Sequence, residues 1–253
     1  MTFRANFLIE AVTALAWMAM NLTFYLLIFN YTTSIGANTG WGRYEFFVFL
    51  ATSLFVNSVV QAFFMPNANE FGELIRSGGL DFALLKPIDT QFLISLQKIE
   101  WSALGNFAIA GVLLGVSLWQ LDYRPGWLEV LLYPFFIACG VAILYSLTIA
   151  MAAVGVWLGR NESLYDFWFY LTNFSRYPME IYHGSFGTPL RIFFTFVVPV
   201  LVVVNVPARF LAMPLDRSMW WLAAIALALT ATSLILSRWI FQKALLSYRS
   251  ASS

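Results

Sequence analysis

The chain has 253 residues, of which 60% are hydrophobic and only 11% charged, against about 25% charged in an average soluble domain. A net charge of +1 without any basic run leaves no footprint for nucleic acid. A single cysteine and a single histidine exclude an intrachain disulfide and any multi-histidine metal site.

Six charge-free stretches follow one another along the chain: Ala11–Gly42, Phe46–Asn69, Trp101–Leu121, Val130–Gly159, Ile192–Ala208 and Ser218–Ser237. A membrane-spanning helix needs about 20 mostly apolar residues, within a range of roughly 17–25. Ser218–Ser237 just meets that length, Ile192–Ala208 sits at its lower edge, and the other four exceed it. The composition therefore predicts an all-α integral membrane protein, one domain over 1–253, with spans near 10–30, 45–65, 100–121, 130–158, 190–209 and 218–239. Only Arg4 precedes the first run and Glu10 interrupts its approach. The run also exceeds the roughly 7–15 residues of a signal-peptide core, so it reads as a retained first span.

Cytoplasmic loops carry the excess of Lys and Arg. With the N-terminus inside, six crossings put ten of the 14 basic residues in inner segments and leave Arg43, Arg124, Arg209 and Arg217 outside. Both termini are then cytoplasmic. The two inner loops, Pro66–Lys98 and Arg160–Pro189, are each about thirty residues long and hold most of the charge.

In the first span the neutral polar residues are Thr13, Asn21 and Thr23, and in the second Asn57, Ser58 and Gln61. Asn57 and Gln61 are four apart and share a helix face. Two readings stand: interhelical hydrogen bonding, or a partly polar translocation surface lined by Asn21, Asn57 and Gln61. The first inner loop reads Gly72-Glu-Leu-Ile-Arg-Ser-Gly-Gly-Leu-Asp-Phe-Ala-Leu-Leu-Lys-Pro87, then Ile88-Asp89. This is a short charged helix, a Gly78-Gly79 break, a second turn and a proline stop, a shape suited to docking into another protein's groove. Further on, Gly111-x3-Gly115 and Gly155-x3-Gly159 have the spacing of closely packed membrane helices.

The second inner loop predicts an amphipathic helix. Ser163-Leu-Tyr-Asp166 has capping-box spacing. Glu162, Asp166 and Asn173 form one face; Leu164, Phe167, Trp168, Leu171 and Phe174 form the other. Such a helix is expected to lie in the membrane interface between spans four and five, as a tether or a gate, and to end near Tyr177-Pro178. In the fifth stretch Pro199 and Pro207 each remove a backbone donor. Its outer half is therefore expected to be broken or re-entrant.

Several chemistries are missing. The three lysines, Lys86, Lys98 and Lys243, do not follow glycines, so there is no Gly-x4-Gly-Lys phosphate loop and no catalytic residue is assigned. No acidic or basic residue lies near the middle of a span, which weakens the alternative of an ATP-independent, proton-coupled secondary transporter. An intramembrane lipid enzyme would need clustered His or carboxylates; Glu162 and Asp166 come nearest, and a solvated face explains them better.

The order and spacing of several segments resemble the permease subunits of type-2 ABC transporters. They are the Gly-Leu-Asp and Leu-Leu-Lys-Pro87 steps of the first inner loop, Arg4-Ala-Asn-Phe-Leu8, Tyr177-Pro-Met-Glu-Ile-Tyr182, the Val206-Pro-Ala208 step and Ser247-Tyr-Arg-Ser-Ala-Ser252. The resemblance covers essentially the full length, although relatives of this kind usually have more residues before the first span. It implies a six-span permease half of an ATP-driven exporter in a bacterial plasma membrane, surrounded by lipid. The half pairs with a second permease, identical or paralogous, and with two cytosolic ABC ATPase subunits that bind ATP and Mg; this chain carries no cofactor. The loop after span two is then the coupling segment, with Glu73, Arg76, Gly78, Gly79, Leu80, Asp81, Lys86 and Pro87 as ATPase-contact candidates.

Overall fold

A computed structural model describes residues 2–36, 39–158 and 164–248, and among them the regular structure is entirely helical. Helix α1 spans Thr2–Tyr31, α2 Arg43–Phe63, α3 Met65–Ser77, α4 Leu80–Leu84 and α5 Thr90–Ser95. A 3-10 turn at Trp101–Leu104 leads into α6, Gly105–Gln120, and then α7 spans Trp127–Leu158. Next come α8, Leu164–Asn173, 3-10 turns at Phe174–Arg176 and Met179–Ile181, and α9, Gly184–Ile192. A π-helical turn, Phe193–Val197, precedes α10, Val200–Ala212, and α11 is Arg217–Ser247.

Four helical segments are long and apolar enough to cross a membrane: Arg43–Ser77, Trp101–Gln120, Trp127–Trp157 and Met219–Ser247. A fifth candidate is the bent pair Gly184–Val197 and Val200–Ala212, whose halves meet at 88°. The first predicted span falls on α1, a 30-residue helix. Because α2 runs into α3 through a near-helical Phe64, the combined 35-residue rod is about 50 Å long at 1.5 Å per residue. That exceeds a hydrocarbon core of about 30 Å, so α3 protrudes beyond it.

The core is built around α10, whose residues are almost all buried against α2 and α7. Pro207 sits inside α10 without breaking it. Having no N–H, it leaves the Val203 carbonyl, four residues back, without its helical donor. That carbonyl lies over Gly140 of α7, 2.6 Å from where a Cβ would stand. The close helix contact of this fold is therefore at Gly140. The Gly111-x3-Gly115 expectation is not met within the chain, since Gly115 faces open space and Gly111 has only Phe55 at 4.0 Å. Gly159 lies outside the described residues.

The 160–189 segment departs from an inner loop. Trp41 Nε1 donates to Glu180 at 2.8 Å, and Arg209 pairs with Glu180 at 2.5 Å. Trp41 and Arg209 belong to the opposite end from the 66–98 loop, so the chain climbs the length of the bundle between Leu158 and Glu180. Helix α8 is part of that climb. Trp168, Thr172 and Ser175 are buried, and Leu171 and Phe174 pack on the main core, while Phe169 and Tyr170 are exposed. Ser163 of the expected cap and Glu162 of the expected polar face lie outside the described residues. The helix does end before Tyr177-Pro178, as predicted.

From there α9 retraces the climb: Gly187 packs on Tyr182, Arg191 reaches Met179 Sδ at 3.8 Å, and Phe194 stacks on Phe174 at 3.9 Å. The break comes at Val198–Pro199, in the middle of the fifth stretch, not at Pro207. Helix α10 then returns, and Asn205 Oδ1 accepts from the Met179 amide at 2.9 Å. Both ends of the pair therefore lie beside Glu180, and the 88° bend is that of a broken span or a re-entrant loop.

Candidate functional site

The 67–98 segment forms a closed lobe. Asn67, buried at the start of α3, donates to the Lys98 carbonyl and accepts from the Lys98 amide, both at 2.8 Å. An ion pair between Lys98 and Glu70 at 2.7 Å reinforces the closure. At the far tip Gly78 adopts φ 73°, a left-handed helix C-cap that glycine takes without steric cost. This is the break the Gly-Gly pair predicts. Gly79 is tightly placed, since a Cβ there would stand 3.0 Å from Leu74.

Helix α4 then turns Leu80 and Ala83 inward, onto Phe71, Ile94 and Phe241. Leu80 is fully buried and so anchors the lobe instead of presenting a contact. Of the other predicted contact residues, Glu73, Arg76, Lys86 and Pro87 are exposed, while Gly78, Gly79 and Asp81 are half-buried. Glu73 and Arg76 pair with each other at 2.6 Å. The outward face carries large apolar side chains that the sequence reading passes over: Phe82 is 74% exposed, Leu85 81% and Phe92 58%. The Phe82/Leu85 spacing of three was the available signal.

The lobe is fastened to two long helices. Asp89 accepts from the Phe92 amide at 3.0 Å, capping α5, and also pairs with Arg238 of α11. The Arg238 hydrogen bond, and next the Phe92 amide, hold the Asp89 carboxyl below the usual carboxylate range. Arg238 also reaches Gln91 Oε1 at 3.1 Å. The Tyr145 hydroxyl of α7 receives Gln91 Nε2 at 3.1 Å and lies 2.9 Å from Ser95 Oγ. Nothing in the sequence marks this latch, because Asp89, Tyr145 and Arg238 are far apart along the chain.

A second feature joins the other predicted residues. Asn21, Asn57 and Gln61 all line one cavity of about 450 Å³ bounded by α1, α2, α6 and α8. Asn57 is itself tied to the Ser53 carbonyl at 2.8 Å. Among the described residues no group of His, Cys, Asp and Glu could hold a metal ion. His183 Nδ1 meets only nearby loop carbonyls, Ile181 at 2.9 Å and Glu180 at 3.2 Å.

The described residues thus form a helical bundle that carries a charged lobe, closed at Asn67 and Lys98, at one end. Residues 15–252 match the family described as ABC-2 family transporter protein, and the chain belongs to that family. It is thus a multi-pass membrane subunit of an ABC transporter, and the subunit is not itself catalytic. No match was found among curated proteins or among solved structures.

Proposed function

We propose that this chain is the permease half of an ATP-driven exporter, working with a second permease and with cytosolic ABC ATPase subunits that bind the ATP and Mg. The observation that carries the reading is the apolar face of the lobe, Phe82, Leu85 and Phe92, held out from the bundle on a clamped and latched base. Monomeric surfaces rarely expose such a patch without a partner for it. The charged rim of Glu73, Arg76 and Lys86 suits a polar surround. Pushing the lobe would move α2 through the continuous α3, and α7 and α11 through Tyr145 and Arg238.

In this reading the lobe is cytosolic and the Trp41–Glu180–Arg209 cluster faces outward. Helix α1 makes the first crossing and the α8 segment the fifth. The 184–212 pair then dips in from outside, α11 makes the last crossing, and both termini are cytoplasmic. The chain is expected in a bacterial plasma membrane.

Purification in mild detergent with the ATPase encoded beside it tests the proposal. Wild type is expected to retain the ATPase, and F82E/L85E to lose at least about tenfold of it while still inserting in the membrane. If wild type never retains an ATPase, the exporter reading fails and an ATP-independent transporter takes its place. Equal retention by the variant removes the lobe as the docking face.

A further inference from the structure

The cavity between α1, α2, α6 and α8 is built along one face of α2. Leu50, Leu54, Asn57 and Gln61 succeed one another at three- and four-residue steps, covering about 16 Å of helix. Its two ends differ. At one end stand Arg176 and Tyr177, beside Tyr25, which packs on Phe46 at 4.8 Å. At the other stand the carboxamides of Gln61 and Asn106. Between them the wall is mixed: Met18, Leu22, Leu54 and Leu113 alternate with Asn21, Ser53 and Asn57.

Three polar side chains in this wall form no hydrogen bond among the described residues. Gln61 and Asn106 are half-buried, and neither side chain forms a hydrogen bond among the described residues. Arg176 is solvent-exposed at the mouth of the cavity, lies over the Phe169 ring at 5.2 Å and has no carboxylate within ion-pair distance among the described residues. Unpaired carboxamides such as those of Gln61 and Asn106 are costly inside a bundle surrounded by lipid, and the Arg176 guanidinium, held by an aromatic ring at the mouth, keeps its donors free for an anion. The size suits a drug-sized molecule, since such sites hold roughly 300–1,000 Å³.

We infer that this cavity binds an elongated anionic amphipath, its acid group on Arg176, its apolar body along the Leu50–Leu54 wall, and hydrogen-bonding atoms at the Gln61–Asn106 end. A carboxylate or phosphate head satisfies the chemistry, whether it belongs to a lipid or to a soluble amphipath. That such a ligand is also cargo rests on the exporter reading; the binding does not.

The test uses the full chain in phosphatidylcholine nanodiscs with 11-(dansylamino)undecanoic acid as probe. The amine-terminated probe of equal length is the control, and dansyl emission is the readout. Wild type is expected to bind the acid saturably and about tenfold more tightly than the amine. R176Q is expected to abolish the preference, R176K to restore part of it, and Q61A/N106A to weaken the acid severalfold. Displacement by added phosphatidylglycerol identifies a lipid-filled site, and resistance to it identifies a site for soluble amphipaths; both outcomes support the anion chemistry. Equal binding of the two probes by wild type overturns the inference, and that comparison requires no variant to fold. So does an acid preference that persists in R176Q. A protein that keeps its ATPase but shows no preference loses only this inference. One that binds the acid but never holds an ATPase loses only the exporter reading.

Discussion

Asp89 caps α5 and ion-pairs with Arg238, so one carboxylate sets both the fold of the lobe and its attachment to α11. The two side chains are 45% and 42% exposed, where such a pair contributes about 0–1 kcal/mol. Its importance is positional. Because the folded-state pKa is depressed, the contribution is complete above the unfolded value of about 4 and is lost as pH falls through the folded value. D89N is therefore expected to melt slightly below wild type at pH 7, with the gap closing below about pH 4. Thermal unfolding in nanodiscs at both pH values checks this, and a gap independent of pH contradicts it. Glu180 differs in kind. It and Arg209 are only 17% and 16% exposed, and Glu180 also accepts from Trp41. Removing one member strands the other charge, so E180A should cost about 3 kcal/mol. The E180L/R209M pair should recover much of that loss in the same melting assay.

At the scale of elements, the contact between α7 and α10 depends on Gly140 and on the carbonyl that Pro207 frees. G140L should destabilise the detergent-solubilised protein by about 1–3 kcal/mol through overpacking, while G115L stays within about 0.5 kcal/mol. A reversal of that order, measured by thermal unfolding, would return the packing role to the Gly-x3-Gly motif. The contrast shows where the sequence was legible. Apolar length located the long helices, because the cost of burying a backbone or a charge in lipid leaves few alternatives. The Gly78-Gly79 break was equally plain, since a left-handed cap favours one residue type. Helix α8 was not, because an amphipathic ten-residue pattern looks the same on a membrane surface and beside a polar cavity. Here Trp168, Leu171 and Phe174 face the core, and Thr172 and Arg176 border the cavity.

For the whole molecule, counting Lys and Arg grouped the 160–189 segment with the 66–98 loop, whereas the structure brings Glu180 beside Trp41, at the other end of α2. Trp41 and Arg209 satisfy Glu180 at the end opposite the lobe, and the proline-broken pair, bent by 88°, brings α10 back beside it. The lobe, in contrast, was legible in outline. Its charged residues lay in the sequence reading, but the exposed Phe82 and Leu85 and the Asp89–Arg238 latch required the fold. The central proposal is that an ATPase pushes on α2, α7 and α11 through this lobe. Its most direct measurement places a photo-crosslinking amino acid at position 85 and irradiates intact membranes containing the neighbouring ATPase. A crosslink to the ATPase from position 85, absent from the same label at position 186 near the start of α9, is the result predicted. A crosslink from position 186 and none from position 85 would contradict it.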